Sequence, residues 1–588
     1  MIWKNTQDSL MQEKKASQLL KLKIRYHLDQ IYKNKKNHKL SQIIFDIFFE
    51  KQNPIQPNPM DTKWGQEDVI LITYANTFIN QKKAPLKNLK DFLSKYIKKT
   101  INSVHILPFF PYSSDDGFAV IDFTKVNEGF GSWDDIERIA KKYKLMTDVV
   151  INHCSSRSQW FEQFKNNQKP GMNFFLELPK KTNTKKVTRP RTTALLQEFN
   201  TASGKKYVWC TFGPDQPDLN YQNPEVMIEM LKIIKSYLDK GAEILRLDAI
   251  AFLWKDLKTN CVNLTETHEF VRLIRTLIDH YSNKAYLITE TNIPNRENLS
   301  YFGNRNEAHL VYNFALPPLI MHSLLNNSSH KLKQWLMRMP PAMFGTTYFN
   351  FLASHDGIGL RSVENILEKS EIDALVLSAT KANGKISYRT RGHISEAYEI
   401  NISLFDAFKY HIQDGLDRMQ NQRFICAHTI MLAMEGIPAF YIHSLLATKN
   451  DDKKLLHTSQ NRSINRHQWS VDDLEKKLNA RTHHKKIFFE LLRLIEVRKK
   501  QRAFHPNATQ FTLEINESIF GLWRQSLDRE QSIFSIHNIS NKIVTFNPSL
   551  LNMIETDSWY DLISGKSLKN LYQEIKLKPY QSMWLSNK

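Results

Sequence analysis

Carboxylates placed at the ends of short apolar runs are the residues of this chain best suited to do chemistry. The run Ala242-Glu-Ile-Leu-Arg-Leu-Asp248 ends on Arg246 and Asp248. Strand side chains alternate faces, so these two point the same way. An aspartate at the end of a buried strand costs free energy unless something compensates it. Arg246 is a built-in partner that would hold Asp248 ionised, with a depressed pKa. An ionised, positioned carboxylate is what a covalent nucleophile needs. Alone, the pair reads equally well as a structural ion pair closing a strand. A second run, Ala285-Tyr-Leu-Ile-Thr-Glu290, ends on a glutamate whose apolar approach favours the protonated form of a general acid. A third, Tyr348-Phe-Asn-Phe-Leu-Ala353, leads to His355 and Asp356. There a carboxylate would stabilise positive charge developing in a transition state. Two further ends carry Asp115 with Phe118, and Asp148 with Asn152 and His153. Converging carboxylates at so many strand ends exceed what capping explains. Two of them on adjacent ends suit attack on a glycosidic bond, with Asp248 as nucleophile and Glu290 as acid. His153 and His355 would hydrogen-bond sugar hydroxyls.

Eight strand candidates position these residues. They are Val69–Thr73, Val104–Pro108, Met146–Ile151, Ile244–Asp248, Ala285–Glu290, Leu310–Phe314, Tyr348–Ala353 and Pro438–Ile442. Amphipathic stretches such as Ser132–Tyr143 and Pro224–Lys240 lie between them. The alternation predicts an α/β chain folded as a parallel (β/α)8 TIM barrel, in which function sits at the C-terminal ends of the strands. The expected organisation is a helical N-terminal extension over 1–62, then barrel segments over 63–153, 223–355 and 426–504. A domain B insertion (154–222) follows the third strand. A loop-rich insertion (356–425) follows the seventh, and a small β domain closes the chain (505–588).

With 588 residues the chain exceeds one compact core. Its 81 basic and 60 acidic residues leave a net charge of +21, which raises a nucleic-acid partner. The lysines are scattered, however, and no recognition motif accompanies them. A small anionic substrate is the more economical use of local positive charge, so neither a nucleic-acid nor a membrane partner is expected. Cys154, Cys210, Cys261 and Cys426 have no CxxC spacing, which favours free thiols over disulfides or zinc. The N-terminus has no uninterrupted apolar h-region, and no apolar run approaches a membrane span. A soluble cytoplasmic enzyme without metal or cofactor is the expectation, and no feature specifies an oligomeric state.

Here a resemblance enters. Asp148-Val-Val-Ile-Asn-His153, Ile244-Leu-Arg-Leu-Asp-Ala249, Glu290 and Ser354-His-Asp356 resemble, in order, the four signature regions of the α-amylase superfamily (glycoside hydrolase family thirteen). Asp218-Leu-Asn220 is similar to its domain B signature. His105-Ile-Leu-Pro-Phe-Phe-Pro111, Gly131-Ser-Trp-Asp-Asp135, Asn313-Phe-Ala-Leu-Pro-Pro318, His355-Asp-Gly-Ile-Gly359 and Ile464-Asn-Arg-His467 resemble the sucrose phosphorylase subfamily, over nearly all the chain after residue 64. The resemblance implies a retaining phosphorylase in which inorganic phosphate, as co-substrate, takes glucose from a glucosyl-enzyme on Asp248. By position, it implies that Asp115 and Arg466 grip the glucosyl ring, that Arg191 binds phosphate, and that Tyr398 reaches phosphate or acceptor from a mobile loop. A guanidinium fork at Arg191 suits a phosphate dianion on its own chemistry.

Two departures fall on the acceptor side. Asn292, in Glu290-Thr-Asn-Ile-Pro294, replaces the subfamily's usual histidine region, and Glu399 stands where a glutamine is usual. With Leu253-Trp-Lys255 and Glu266-Thr-His268, this pattern is more similar to the glucosylglycerate phosphorylase branch. An anionic acceptor needs a cation, for which Arg389 and Arg391 are candidates. Sucrose phosphorylase proper and a plain α-glucoside hydrolase or transglucosylase are the alternative readings.

Overall fold

Apolar runs of three to seven residues, buried on both faces, form eight parallel strands. Such double-sided burial is the mark of parallel sheets covered by helices. In the computed structural model they are β1 (Ile70–Thr73), β2 (Ser103–Ile106), β3 (Lys144–Val150), β4 (Ala242–Asp248), β5 (Tyr286–Thr289), β6 (Leu310–Tyr312), β7 (Thr347–Phe351) and β8 (Ile437–Tyr441). They close into a barrel in the order β1-β8-β7-β6-β5-β4-β3-β2. The structure describes residues 2–33, 37–58, 63–191, 193–391, 394–554 and 557–588, with side chains beyond residue 13 and outside 390–394.

The chain divides into two compact units. One comprises Met1–Lys63, Ile106–Thr291 and Glu297–Val311. It opens with helices Ile2–Ile31 and Asn37–Phe49; of the residues between them, 34–36 lie outside the described set. Leu20, Ile24, Leu28 and Ile31 recur at helical spacing and are buried, the stripe expected of a helix laid on a core. His27 Nδ1 lies 3.0 Å from Glu269 Oε2, and Tyr32 donates to the Tyr221 carbonyl at 2.8 Å. The extension is therefore fastened by polar contacts as well as by its apolar stripe. After β3 the chain builds a helix (Gln159–Lys165) and an antiparallel hairpin, Leu196–Thr201 with Gly204–Trp209.

The other unit comprises Trp64–His105, Asn292–Arg296 and Tyr312–Lys588. The segment expected to be loop-rich after β7 instead holds a helix (Lys369–Lys381) and a three-stranded sheet of Ile358–Gly359, Lys385–Arg391 and Ile394–Asn401. Charges scattered along its two longer strands, at Lys385, Arg389, Arg391, Glu396 and Glu399, hid their period. A helix spans Gln420–Ala433. The C-terminal region is β-rich, with a six-stranded antiparallel sheet running from Thr509–Asn516 to Ser582–Ser586. Ile519, Phe534, Ile536, Trp559 and Leu585 fill its core. Among the described residues no helix is long and apolar enough to cross a membrane. All four cysteines are free and buried.

Candidate active site

Register places the first cluster of functional residues. Asp148 of β3 stands opposite Arg246 of β4, and Val150 opposite Asp248. Arg246 in turn pairs with Ile288 of β5, and the Glu290 N–H bonds the Leu247 carbonyl at 3.1 Å. Arg246 Nη1 thus reaches both Asp148 and Asp248, the latter at 2.8 Å, while Nη2 lies 4.0 Å from Glu290 Oε2. The Ala249 N–H donates to the same Glu290 oxygen at 3.1 Å. Ala249 is left-handed (φ 52°), a conformation that costs a non-glycine residue of order 1 kcal/mol. The chain therefore turns sharply the moment Asp248 has been presented.

One guanidinium serves three carboxylates here, and Asp248 is only 7% exposed. Burial raises the Asp248 pKa well above the usual carboxylate range, Arg246 opposes the rise, and Glu290 and Asp148 add to it. This corrects the expectation of a depressed pKa. The sequence argument counted one partner, whereas the folded site desolvates the group and surrounds it with like charge.

Asp115 and Asp116 are both left-handed (φ 53° and 48°). Their turn lays Phe118 under Arg246, with the guanidinium 5.9 Å from the ring centre. The Phe118 carbonyl accepts from His153 Nε2 at 3.1 Å, and Asn152 approaches Nδ1 at 3.5 Å. Burial lowers the His153 pKa, and Gln216 Nε2 lies 3.2 Å from His153 Nε2. Asp218 accepts from Asn152 at 2.9 Å, from the Thr211 N–H at 2.8 Å and from its hydroxyl at 2.6 Å. Lys255, only 6% exposed, sits 2.9 Å from Asp218 and 2.8 Å from Asn152 Oδ1. Asp218 is thus an anchor and not a ligand. Lys255→Met should cost about 2 kcal/mol in urea unfolding, the worth of a charged hydrogen bond, because three donors still satisfy the carboxylate.

Arg191 lies in the bend before the hairpin, half-buried. Nearby Arg189 has Nε and Nη2 buried with no partner among the described residues, and burial lowers its pKa. Such a guanidinium is stabilised by an incoming anion.

The second cluster belongs to the other unit. Arg462, in the turn Asn461–Asn465, grips Glu399 with a two-point fork, Nε to Oε1 at 3.0 Å and Nη2 to Oε2 at 2.7 Å. Its Nη1 is ion-paired with Asp356. His355 Nε2 lies 3.5 Å from the other Asp356 oxygen, and Arg466 Nη2 lies 4.0 Å from Asp356 Oδ1. Arg466 is held by Nε donation to the His355 carbonyl at 2.9 Å and sits 5.7 Å over the Tyr74 ring. Glu399, expected to face acceptor or phosphate, is 2% exposed and occupied by Arg462. Tyr398 is buried, and its carbonyl accepts from Leu360 N at 2.9 Å.

The two acceptor-side departures converge. Gly359 pairs with Glu399 across the small sheet. A Cβ on Gly357 would lie 2.6 Å from Glu399 Cγ, and one on Gly359 would lie 2.7 Å from Asn292 Nδ2. Only glycine allows approaches this close. Asn292 Oδ1 is buried with no partner among the described residues. Arg389 is engaged by Glu364 at 2.7 Å and Glu396 at 2.9 Å. The Arg391 side chain lies outside the described residues. Sequence reasoning missed Arg462 and gave Lys255 no role. The signal for Arg462 was the unusual charge at Glu399, which demands a buried partner. Among the described residues no group of histidines, cysteines or carboxylates is arranged to hold a metal ion.

Residues 74–385 match the family model of the α-amylase catalytic domain. The chain belongs to the α-amylase family, on the branch that carries the sucrose phosphorylase-like enzymes. It is 39% identical to the glucosylglycerate phosphorylase of Spirochaeta thermophila, over 88% of this chain and 90% of that protein. It is 37% identical to the enzyme of the same name from Escherichia coli K12, over 89% and 92%. The sucrose phosphorylase of Streptococcus mutans is 29% identical over 78% and 93%. The crystal structure of sucrose 6F-phosphate phosphorylase from Thermoanaerobacter thermosaccharolyticum shares the fold, with a TM-score of 0.71 and 24% identity, covering 87% of this chain and 98% of that one.

Proposed function

We propose that the protein is a glucosylglycerate phosphorylase, transferring glucosyl from this α-glucoside to inorganic phosphate and yielding α-glucose 1-phosphate. The observation that carries the reading is the retained Asp248–Arg246–Glu290 cluster at adjoining strand ends, in a chain whose glucosylglycerate phosphorylase relatives match over nine-tenths of their length. Asp248 attacks the anomeric carbon as the glycosidic C–O bond breaks, and the Glu290 proton passes to the departing glycerate oxygen. A phosphate oxygen then attacks the same carbon, the Asp248 carboxylate leaves, and Glu290 recovers the proton. Two inversions give net retention. Asp356 faces the positive charge of each transition state. His153, His355, Asp115, Phe118 and Arg466 hold the glucosyl ring, and Asn292 and Tyr398 face the acceptor. Arg191, with Arg189 beside it, receives phosphate. The protein works in the cytoplasm, without metal or cofactor.

The test is glucose 1-phosphate formation from glucosylglycerate, sucrose and sucrose 6′-phosphate, with and without phosphate. Turnover of glucosylglycerate at a kcat/KM well above that for either sucrose substrate is expected. Glucose release that ignores phosphate would instead establish a hydrolase. Arg191→Ala should raise the KM for phosphate roughly tenfold, the worth of one charged hydrogen bond, and leave the donor KM nearly unchanged. An unaltered phosphate KM removes Arg191 from the phosphate site.

A further inference from the structure

A cavity of about 260 Å³ is lined by residues at the start of β7, just before β8 and just after β6. Glu435, two residues before β8, lines it and is 9% exposed. One Glu435 oxygen accepts the Ala342 N–H at 2.8 Å, and the Glu435 N–H bonds Gln510 Oε1 at 2.7 Å. Asn313 also lines the cavity, 4% exposed. Its Nδ2 is spent on Asn350 at 3.1 Å, and its Oδ1 has no partner among the described residues. Met339, Met434, Tyr348 and Phe511 share the remaining wall with Gln510 and Thr512, so the lining is apolar and polar in about equal parts.

The polar groups of the lining residues include a carboxylate and an amide oxygen, both acceptors, and either left unmet is costly when buried. Arg524 is the cation nearest in charge terms; Nη1 and Nη2 are spent on the carbonyls of Ala433, His505 and Ala508, and Nε is buried with no hydrogen-bond partner among the described residues. Tyr348, the other titratable group here, gives its hydroxyl proton to the Pro340 carbonyl. Burial lifts the Glu435 carboxyl to about 7, against the pull of the Ala342 N–H and Arg524. The volume falls just below the ~300–1,000 Å³ of typical ligand pockets, which suits one ring or a short alkyl chain. Aromatic and thioether walls suit an apolar body that carries a positive charge.

We infer that this cavity is a second small-molecule site, for a compact protonated amine with an apolar body, whose ammonium is held by Glu435 and Asn313 Oδ1.

Benzylammonium chloride titrated calorimetrically into the full chain is the probe, with benzyl alcohol as its uncharged counterpart. One equivalent should bind at pH 8. Cation binding requires ionised Glu435, so affinity should fall about tenfold at pH 6, a unit below the Glu435 midpoint. Benzyl alcohol should bind at least tenfold more weakly. Glu435→Gln keeps the Ala342 hydrogen bond and should lose at least tenfold in affinity. Thr512→Trp, at the cavity edge, should block binding by bulk. Undetectable binding to the parent at millimolar amine would mark the space as a packing void and overturn the inference. Affinity unchanged by pH together with either variant would overturn it too. Should Glu435→Gln fail to fold, the pH dependence and Thr512→Trp decide between these outcomes.

Discussion

Asp248→Asn is expected to reduce glucose 1-phosphate formation from every donor by on the order of 10⁴-fold or more, because the bond-forming group is gone. The amide oxygen can still accept from Arg246, so far-UV circular dichroism should be unchanged. A second readout comes from pH. A carboxyl whose folded pKa lies above its unfolded value binds its proton more tightly in the native state. Stability is then lost as pH rises from the unfolded value through the folded one, and the loss is complete above the folded value. Asparagine escapes that loss. The variant should therefore melt higher than the parent at neutral pH, and the gap should close toward acid pH. A variant that keeps turnover would show that Asp248 is not the nucleophile, and one that melts lower at neutral pH by the same margin as at acid pH would show that it is not a strained charge.

Arg462→Met should remove roughly 3 kcal/mol of stability, since it leaves Glu399 buried without its two-point partner. Activity should fall at least tenfold, because Asp356 loses the group that fixes one of its oxygens. Pairing the change with Glu399→Gln separates the two effects. Stability should recover by most of the loss, as no uncompensated charge remains, while kcat stays low because Asp356 is still unheld. Recovery of both together would mean that Arg462 acts only through Glu399.

The barrel was legible because each strand is a short apolar run bounded by turn residues, and because polar residues recur where the runs stop. Asp248, Glu290 and Asp356 could be named from that alone. The electrostatics were not legible. The direction of the Asp248 shift is set first by burial, with Glu290 and Asp148 adding to it, and Asp148 is 98 residues from Arg246 in the chain and adjacent only through strand register. Arg462 escaped for a related reason. It sits in a short turn with no periodic pattern, and Glu399 lies 63 residues away. Lys385–Arg391 and Ile394–Asn401 form strands whose charged residues made them read as loop.

The crowding around Gly357 and Gly359 bears on how such an enzyme changes its diet. Asn292 presses on one glycine and Glu399 on the other, while Glu399 is locked to Arg462 and through it to Asp356. No single substitution at Asn292 or Glu399 leaves the rest undisturbed. On the acceptor-side role proposed for Asn292 and Glu399, a change of acceptor therefore demands concerted replacement, and variants bearing one half of the change should be handicapped in both roles. What these two glycines tolerate sets which partners Asn292 and Glu399 can be exchanged for.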